Sequence, residues 1–226
     1  PDRVALSVDA LTGNDAPLLV HGDARLVDAS GADTGKTLFG AYGLDDTALA
    51  TLGGANAFEL LLRRNLVTGA TVAFRRELAQ AAFPFPAAWV HDEWLAVVAA
   101  AMGGIVPLRH PLIDYRQHGS NVIGGVSANF WGKLGRLVAP GADRNRRLLE
   151  RATQLAERYP TLAAATPVGQ ASVSEKVEHE RVRSSLSPHR LARVRTVLAE
   201  ARTGRYREFG GGLQDIVRDL VQPLRQ

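Results

Sequence analysis

Hydrophobic positions along this chain change period several times, and the changes mark the elements. Val4, Val8 and Leu11 share one face at helical spacing and Pro1 suits a first helical position, so residues 1–11 read as a helix. Thr12-Gly13-Asn14-Asp15 stops it. In PLLVHGDARLVD the continuous run Leu18-Leu19-Val20 predicts a strand buried on both faces. ASGADTGK reads as a turn. Ala57–Arg64 predicts a short helix, NLVTGATVAF a strand-like stretch bent at Gly69, and RRELAQAA a second short helix ended by FPFP. The clearest helix starts at His91-Asp92-Glu93, with acids in its first turn, and ends at Gly103-Gly104. IVPLRHPLIDYRQ is extended, and Pro107 and Pro111 place it at a sheet edge. HGSNVIGG follows as a loop.

From Asn129 the pattern becomes helical and rich in Arg. In SPHRLARVRTVLAEARTG, Ser187 is the expected N-cap, Pro188 the first helical residue, Leu191, Val194, Leu198 and Ala201 the shared face, and Gly204 the stop. An amphipathic piece from Leu213 to Leu220 ends the pattern. Strands alternating with helices over residues 1–128 predict an α/β domain, and residues 129–226 an α-helical extension.

The 226 residues suffice for a large core. Residues 132–226 hold 18 of the 27 basic and 10 of the 23 acidic residues, a tail of net +8 on a body of net −4. Such a tail points to an anionic partner or, equally, to solvated faces of Arg-rich helices. Aromatics are 6% of the chain and do not track the arginines, which argues against stacking on single-stranded nucleic acid. The absence of cysteine excludes disulfides and thiolate chemistry and fits a reducing compartment. The longest mainly apolar stretch, Leu95 to Leu108, is interrupted by Gly103, Gly104 and Pro107 and falls short of the about 20 residues of a membrane helix. The opening PDRVALSVDA is not of signal-peptide type, and without an initiating Met it suggests a piece of a longer or processed chain.

Candidate chemistry is sparse. His91, His110 and His118, with Asp92, Glu93 and Asp114 beside them, form the one cluster of potential metal ligands, at spacings that match no zinc signature. Asp92 opens an apolar helix, where a carboxylate caps backbone N–H groups or accepts a proton from a hydroxyl. Phosphate-binding glycine loops and a G-x-S-x-G elbow are lacking. Asp45-Asp46 reads as a helix cap, Gly210-Gly211-Gly212 as a hinge, and Glu175, Glu178, His179 and Glu180 as solvent-facing positions on a charged helix.

Four segments carry a resemblance when taken in order: Asn65-Leu66-Val67-Thr68-Gly69-Ala70-Thr71; then FPFP; then His91-Asp92-Glu93-Trp94; then the run from Pro111 to Gly124, PLIDYRQHGSNVIG. Together with LLVHGDARLVDASG they resemble bacterial family-2 glycosyltransferases of the GT-A fold, in particular the rhamnosyltransferase-like group that builds surface polysaccharide. A weaker echo lies in GRYREFGGGLQDIVRDL. The resemblance implies an acceptor hydroxyl attacking the anomeric carbon of a nucleotide diphosphate sugar, with inversion, a carboxylate base and a divalent cation, Mg2+ or Mn2+. Carried over by position, Asp92 is the base. Thr68, Gly69 and Trp94 line the acceptor side, Trp94 offering a ring face unless it is a core residue. Arg116 and His118 face the diphosphate, His118 also the metal, and Arg116 alternatively forms a structural ion pair. The family's nucleotide-binding half, ending in an Asp-rich motif, would precede a helix such as residues 1–11. No Asp-x-Asp occurs in the chain, so the main metal ligands are expected outside it.

The expected picture is the acceptor half of a GT-A domain, inactive alone and active within a parent enzyme. That parent would work in the cytoplasm or at the inner face of the plasma membrane, on a glycan or lipid-linked acceptor, with the basic tail near anionic lipid. The alternatives are a non-catalytic module that binds glycan, membrane or nucleic acid and, more weakly, a metallohydrolase built on the histidines. Missing donor strands would leave an apolar face and a sheet edge exposed, so the chain alone is expected to be poorly soluble. A soluble, cooperatively unfolding monomer, seen by sedimentation and thermal melting, would count against that expectation.

Overall fold

A computed structural model describes residues 2–13, 15–117 and 142–222. The chain divides into two compact units, Pro1–Leu61 with Asn65–Ser127, and Leu62–Arg64 with Ala128–Gln226. The first contains a mixed four-stranded sheet with helices, and the second is helical, so the class is α/β with a helical C-terminal part.

The first unit is organised on β1 (Leu19–Val27), in which every residue but Arg25 is buried. On one edge β1 pairs in parallel, along its whole length, with β4 (Ile105–Arg116). On the other edge, Leu19–His21 pairs antiparallel with β3 (Val72–Phe74), and Arg25–Val27 with β2 (Asp33–Thr37). Paired on both edges, the strand tolerates the continuous apolar run that marked it. The stretch read as a turn is therefore only partly one: Asp28 accepts from the N–H groups of Ser30 and Ala32 to close the turn, and Asp33–Thr37 goes on as a strand. β4 pairs only with β1 among the described residues, the edge position its prolines predicted. Its register slips twice, between the pairs Gly22↔Leu108, Asp23↔Pro111 and Ala24↔Ile113. At the slip Leu112 folds over Gly22, where an added Cβ would stand 2.3 Å from Leu112 Cδ1. Arg25 and Asp114 meet across the two strands in a fork of two 2.8 Å hydrogen bonds, which holds the Asp114 carboxyl below its usual range.

Helices fill the connections. α1 (Asp2–Ala10) forms as expected, but the face meant for packing is open: Val4 is 69% and Val8 56% exposed, and Ser7 is the buried residue. Helical spacing reports a shared face without reporting what covers it. α2 (Leu38–Tyr42), too short to show a period, is held by its caps. Thr37 accepts from Gly40 N–H, and Gly43 ends the helix at φ 65°. The buried Asp23 carboxylate accepts from Phe39 N–H and Ala24 N–H, both at 2.8 Å, and so ties α2 to β1. α3 (Asp46–Leu52) is capped by Asp45, as read. α4 (Ala57–Arg63) and α5 (Arg76–Ala82) match the two short helices expected. α6 (His91–Ala101) buries Trp94 to Ala100 almost continuously, and Gly103, at φ 75°, turns the chain into β4.

The second unit contains α7 (Ala142–Arg158), α8 (Pro167–Ser184), α9 (Arg190–Arg202), α10 (Arg205–Phe209) and α11 (Leu213–Val221). Its apolar cluster of Leu186, Val197 and Tyr206 is joined by Ala201, Ile216 and Leu220. Two expectations are corrected here. First, α9 starts at Arg190, because Ser187 Oγ accepts from His189 N–H in the turn before the helix; Leu191 and Leu198 are exposed while Arg193, Val197 and Glu200 face inward. Second, His179 and Glu180 are buried rather than solvent-facing. Arg183 binds Asp219 at 2.7 Å and Glu180 at 3.2 Å, Tyr206 donates to Asp219 at 2.8 Å, and Lys176 reaches Glu180 at 3.3 Å. Burial, with Arg183 and Lys176 nearby, lowers His179 to about 3, and its Nδ1 shares a hydrogen bond with Glu200 Oε1 at 2.7 Å. Glu180 meets its cations within its own helix and Arg183 meets Asp219 from another, whereas the Arg193 guanidinium is buried without a hydrogen-bond partner among the described residues.

Gly22→Ala is expected to destabilise the first unit by about 1–3 kcal/mol, through overpacking against Leu112. Thermal melting of Gly22→Ala and of Gly22→Ala with Leu112→Ala checks this, and the second change should restore much of the loss.

Candidate functional site

Two of the expected acceptor-side residues and the expected base come together. The extended segment after α4 reaches Thr68, then turns through a single 3-10 turn, Gly69–Thr71, into β3. The turn is locked from within, since Thr68 carbonyl accepts from both Thr71 N–H and Thr71 Oγ at 2.9 Å. Its outer corner meets the start of α6. Gly69 N–H donates to Asp92 Oδ2 at 2.8 Å, and Glu93 N–H donates to Asp92 Oδ1 at 2.9 Å. A Cβ on Gly69 would stand 3.0 Å from His91 Nε2 and 3.3 Å from Asp92 Oδ2, so glycine is what lets the turn lie against the helix end. Asp92 thus has both carboxylate oxygens oriented by backbone N–H groups. An ionised carboxylate offers about four lone-pair positions, so these two bonds leave capacity for a hydroxyl proton.

A hydroxyl pair completes the corner. Tyr42, at the end of α2, places its Oη 3.0 Å from Thr68 Oγ1. The Tyr42 phenol is held above its ordinary range, first by burial, with the Asp92 and Glu93 carboxylates and the Tyr115 phenol adding to the effect. It therefore remains a hydroxyl at neutral pH. Tyr42, Thr68, Asp92, Glu93 and Tyr115 come from α2, the segment before the turn, α6 and β4. Sequence reading missed Tyr42 and Tyr115. The Thr37 and Gly43 caps were signals for α2, but nothing local says that its last residue reaches Thr68.

The other expected residues lie elsewhere. Trp94 is wholly buried and its indole N–H donates to Ala82 carbonyl at 2.8 Å, with Trp89 packed 5.3 Å away. It is a core residue here, and its ring does not form an open sugar platform. Arg116 is exposed at the end of β4, paired in register with Val27, and its Nη2 lies 3.8 Å from where a Cβ on Gly31 would stand. His118, with Gly119 to Gly124, lies outside the described residues. His91 and His110 are exposed, and among the described residues no group of three or more His, Asp or Glu is placed to hold a metal ion. A recess of about 240 Å³ lined by Gly53, Gly54, Ala57, Ala100 and Ile105 includes none of the candidate residues. No family model, curated protein or solved structure matches the chain.

Asp92→Ala removes the acceptor for Gly69 N–H, so the Gly69 amide should exchange with D2O roughly tenfold faster by NMR, whereas Asp92→Asn keeps an acceptor oxygen and should change it less. Equal protection in the Ala variant would mean that the bond does not hold the turn in solution.

Proposed function

We propose that this chain forms the acceptor side of an inverting glycosyltransferase of the GT-A type, with Asp92 as the general base. The observation that carries the reading is the Asp92–Gly69 hydrogen bond. It joins two segments whose motifs resemble family-2 transferases, and it orients a carboxylate at the first turn of a buried helix. In the proposed reaction Asp92 takes the proton of an acceptor hydroxyl. The freed oxygen attacks the anomeric carbon, and the bond to the nucleotide diphosphate breaks with its electron pair on the leaving phosphate. Thr68 and Gly69 border the acceptor, and Arg116 and His118 are proposed contacts for the diphosphate. A Mg2+ or Mn2+ ion would neutralise the leaving group, held mainly by residues outside this chain, as the family resemblance implies. Rhamnose is the donor that the family resemblance favours.

No helix among the described residues is long and apolar enough to cross a membrane. Action in the cytoplasm, on a glycan or a lipid-linked acceptor at the inner membrane face, is part of the proposal. Within the basic tail Arg144, Lys176, Arg183, Arg205 and Arg218 pair with acids, so its excess positive charge is carried by its other basic residues.

The test uses the protein that contains this chain in full, with UDP- and dTDP-sugars and alkyl glycosides, reading nucleoside diphosphate release. Asp92→Asn should lower turnover roughly 100-fold or more in a protein that circular dichroism shows to be folded. Turnover equal to wild type would refute the base assignment.

A further inference from the structure

The corner occupied by Asp92 is built from hydroxyls and carboxylates, and its best-placed hydroxyl belongs to neither the turn nor α6. Tyr42 Oη touches Thr68 Oγ1 at 3.0 Å, and Thr68 is covalently joined to Gly69, whose N–H is 2.8 Å from Asp92 Oδ2. The phenol and the carboxylate are thus linked through two consecutive residues, Thr68 and Gly69. Both Asp92 and Glu93 act on it electrostatically, as does Tyr115. Thr68 is buried, whereas Tyr42, Asp92, Glu93 and Tyr115 are each partly exposed. Tyr42 at the end of α2, Thr68 before the Gly69 turn and Asp92 at the start of α6 are brought to one corner by these two hydrogen bonds. A few polar groups held in place by packing are what orients a small ligand in its site. The rings of Tyr42 and Tyr115 pack against the buried Ala24, Leu26 and Leu38, which holds the two phenols in position.

We propose that Tyr42, paired with Thr68, is a sugar-binding residue that holds an uncharged, polyhydroxylated ligand beside Asp92. The chemistry selects that class. Carboxylates accept from sugar O–H groups, and a Tyr or Thr hydroxyl both gives and accepts. A ligand bearing its own carboxylate or phosphate at this end would meet Asp92 and Glu93 as like charges. The inference rests on the glycosyltransferase reading only in calling that ligand the acceptor; the binding claim stands on the hydroxyl and carboxylate cluster.

Saturation-transfer NMR of the full protein that contains this chain, with methyl α-rhamnoside, methyl β-glucoside and methyl β-galactoside, tests it. Transfer to at least one glycoside is expected in the wild type, with affinity roughly tenfold weaker in Tyr42→Phe and an unchanged melting temperature. Thr68→Val, which keeps shape and removes the partner hydroxyl, should weaken binding in the same direction and serves if the Phe variant melts early. Equal binding in wild type and both variants, or no binding in the wild type, overturns the proposal. In the full protein Tyr42→Phe should raise KM for the glycoside acceptor several-fold, with kcat and donor-only hydrolysis changed less than about threefold. An equal fall in donor-only hydrolysis would overturn the acceptor role. If glycoside binding depends on Tyr42 while Asp92→Asn turns over normally, the base assignment falls and the sugar site stands.

Discussion

All three other strands of the sheet hydrogen-bond to β1, and among the described residues this is the constraint on which the first unit rests. A strand paired on both edges satisfies its backbone N–H and C=O groups without water, so its side chains can be buried on both faces. Two of its polar residues show what burial then demands. Asp23 is accommodated by giving its carboxylate to Phe39 N–H and Ala24 N–H. His21 has neither ring nitrogen partnered, and burial lowers it to about 4, so it stays neutral with its ring edge-on to Phe39.

The candidate site inherits its geometry from that strand. The Gly69 turn runs directly into β3, which is registered on Leu19 to His21, and α6 runs through Gly103 and Gly104 into β4, which starts opposite the same Leu19. Turn and helix are thus placed by the two edges of one strand, and the Asp92–Gly69 bond spans the gap between them. α2 joins the same frame through Asp23, which brings Tyr42 to Thr68. Preorganisation of this kind fixes the direction of a carboxylate before any ligand arrives.

The second unit uses a different interior. Arg183, Glu180, Asp215 and Asp219 are buried together, and Tyr206, His179 and Lys176 adjoin them. Each charge there is tolerable because an opposite charge or a hydrogen bond meets it, and removal of any one would leave its partner stranded in low dielectric. The consequence on the surface is an inverted pattern, in which Leu191, Leu213 and Val217 face out while acids face in.

The sequence by itself determined the local elements. Caps at Asp45, acids at Asp92 and Glu93, glycines at Gly103 and Gly104 and the run at Leu18 to Val20 marked helix ends and a buried strand, because these depend on backbone preferences within a few residues. It also singled out Thr68, Gly69 and Asp92, and left two fates for Trp94. Only the tertiary structure decided that Trp94 lies in the core, that Tyr42 pairs with Thr68 beside the residue that binds Asp92, and that His179 and Glu180 turn inward while Val4 and Val8 turn out. Those outcomes depend on which distant segment arrives opposite each residue. Periodicity records that a face exists, whereas burial and pairing are properties of two surfaces at once.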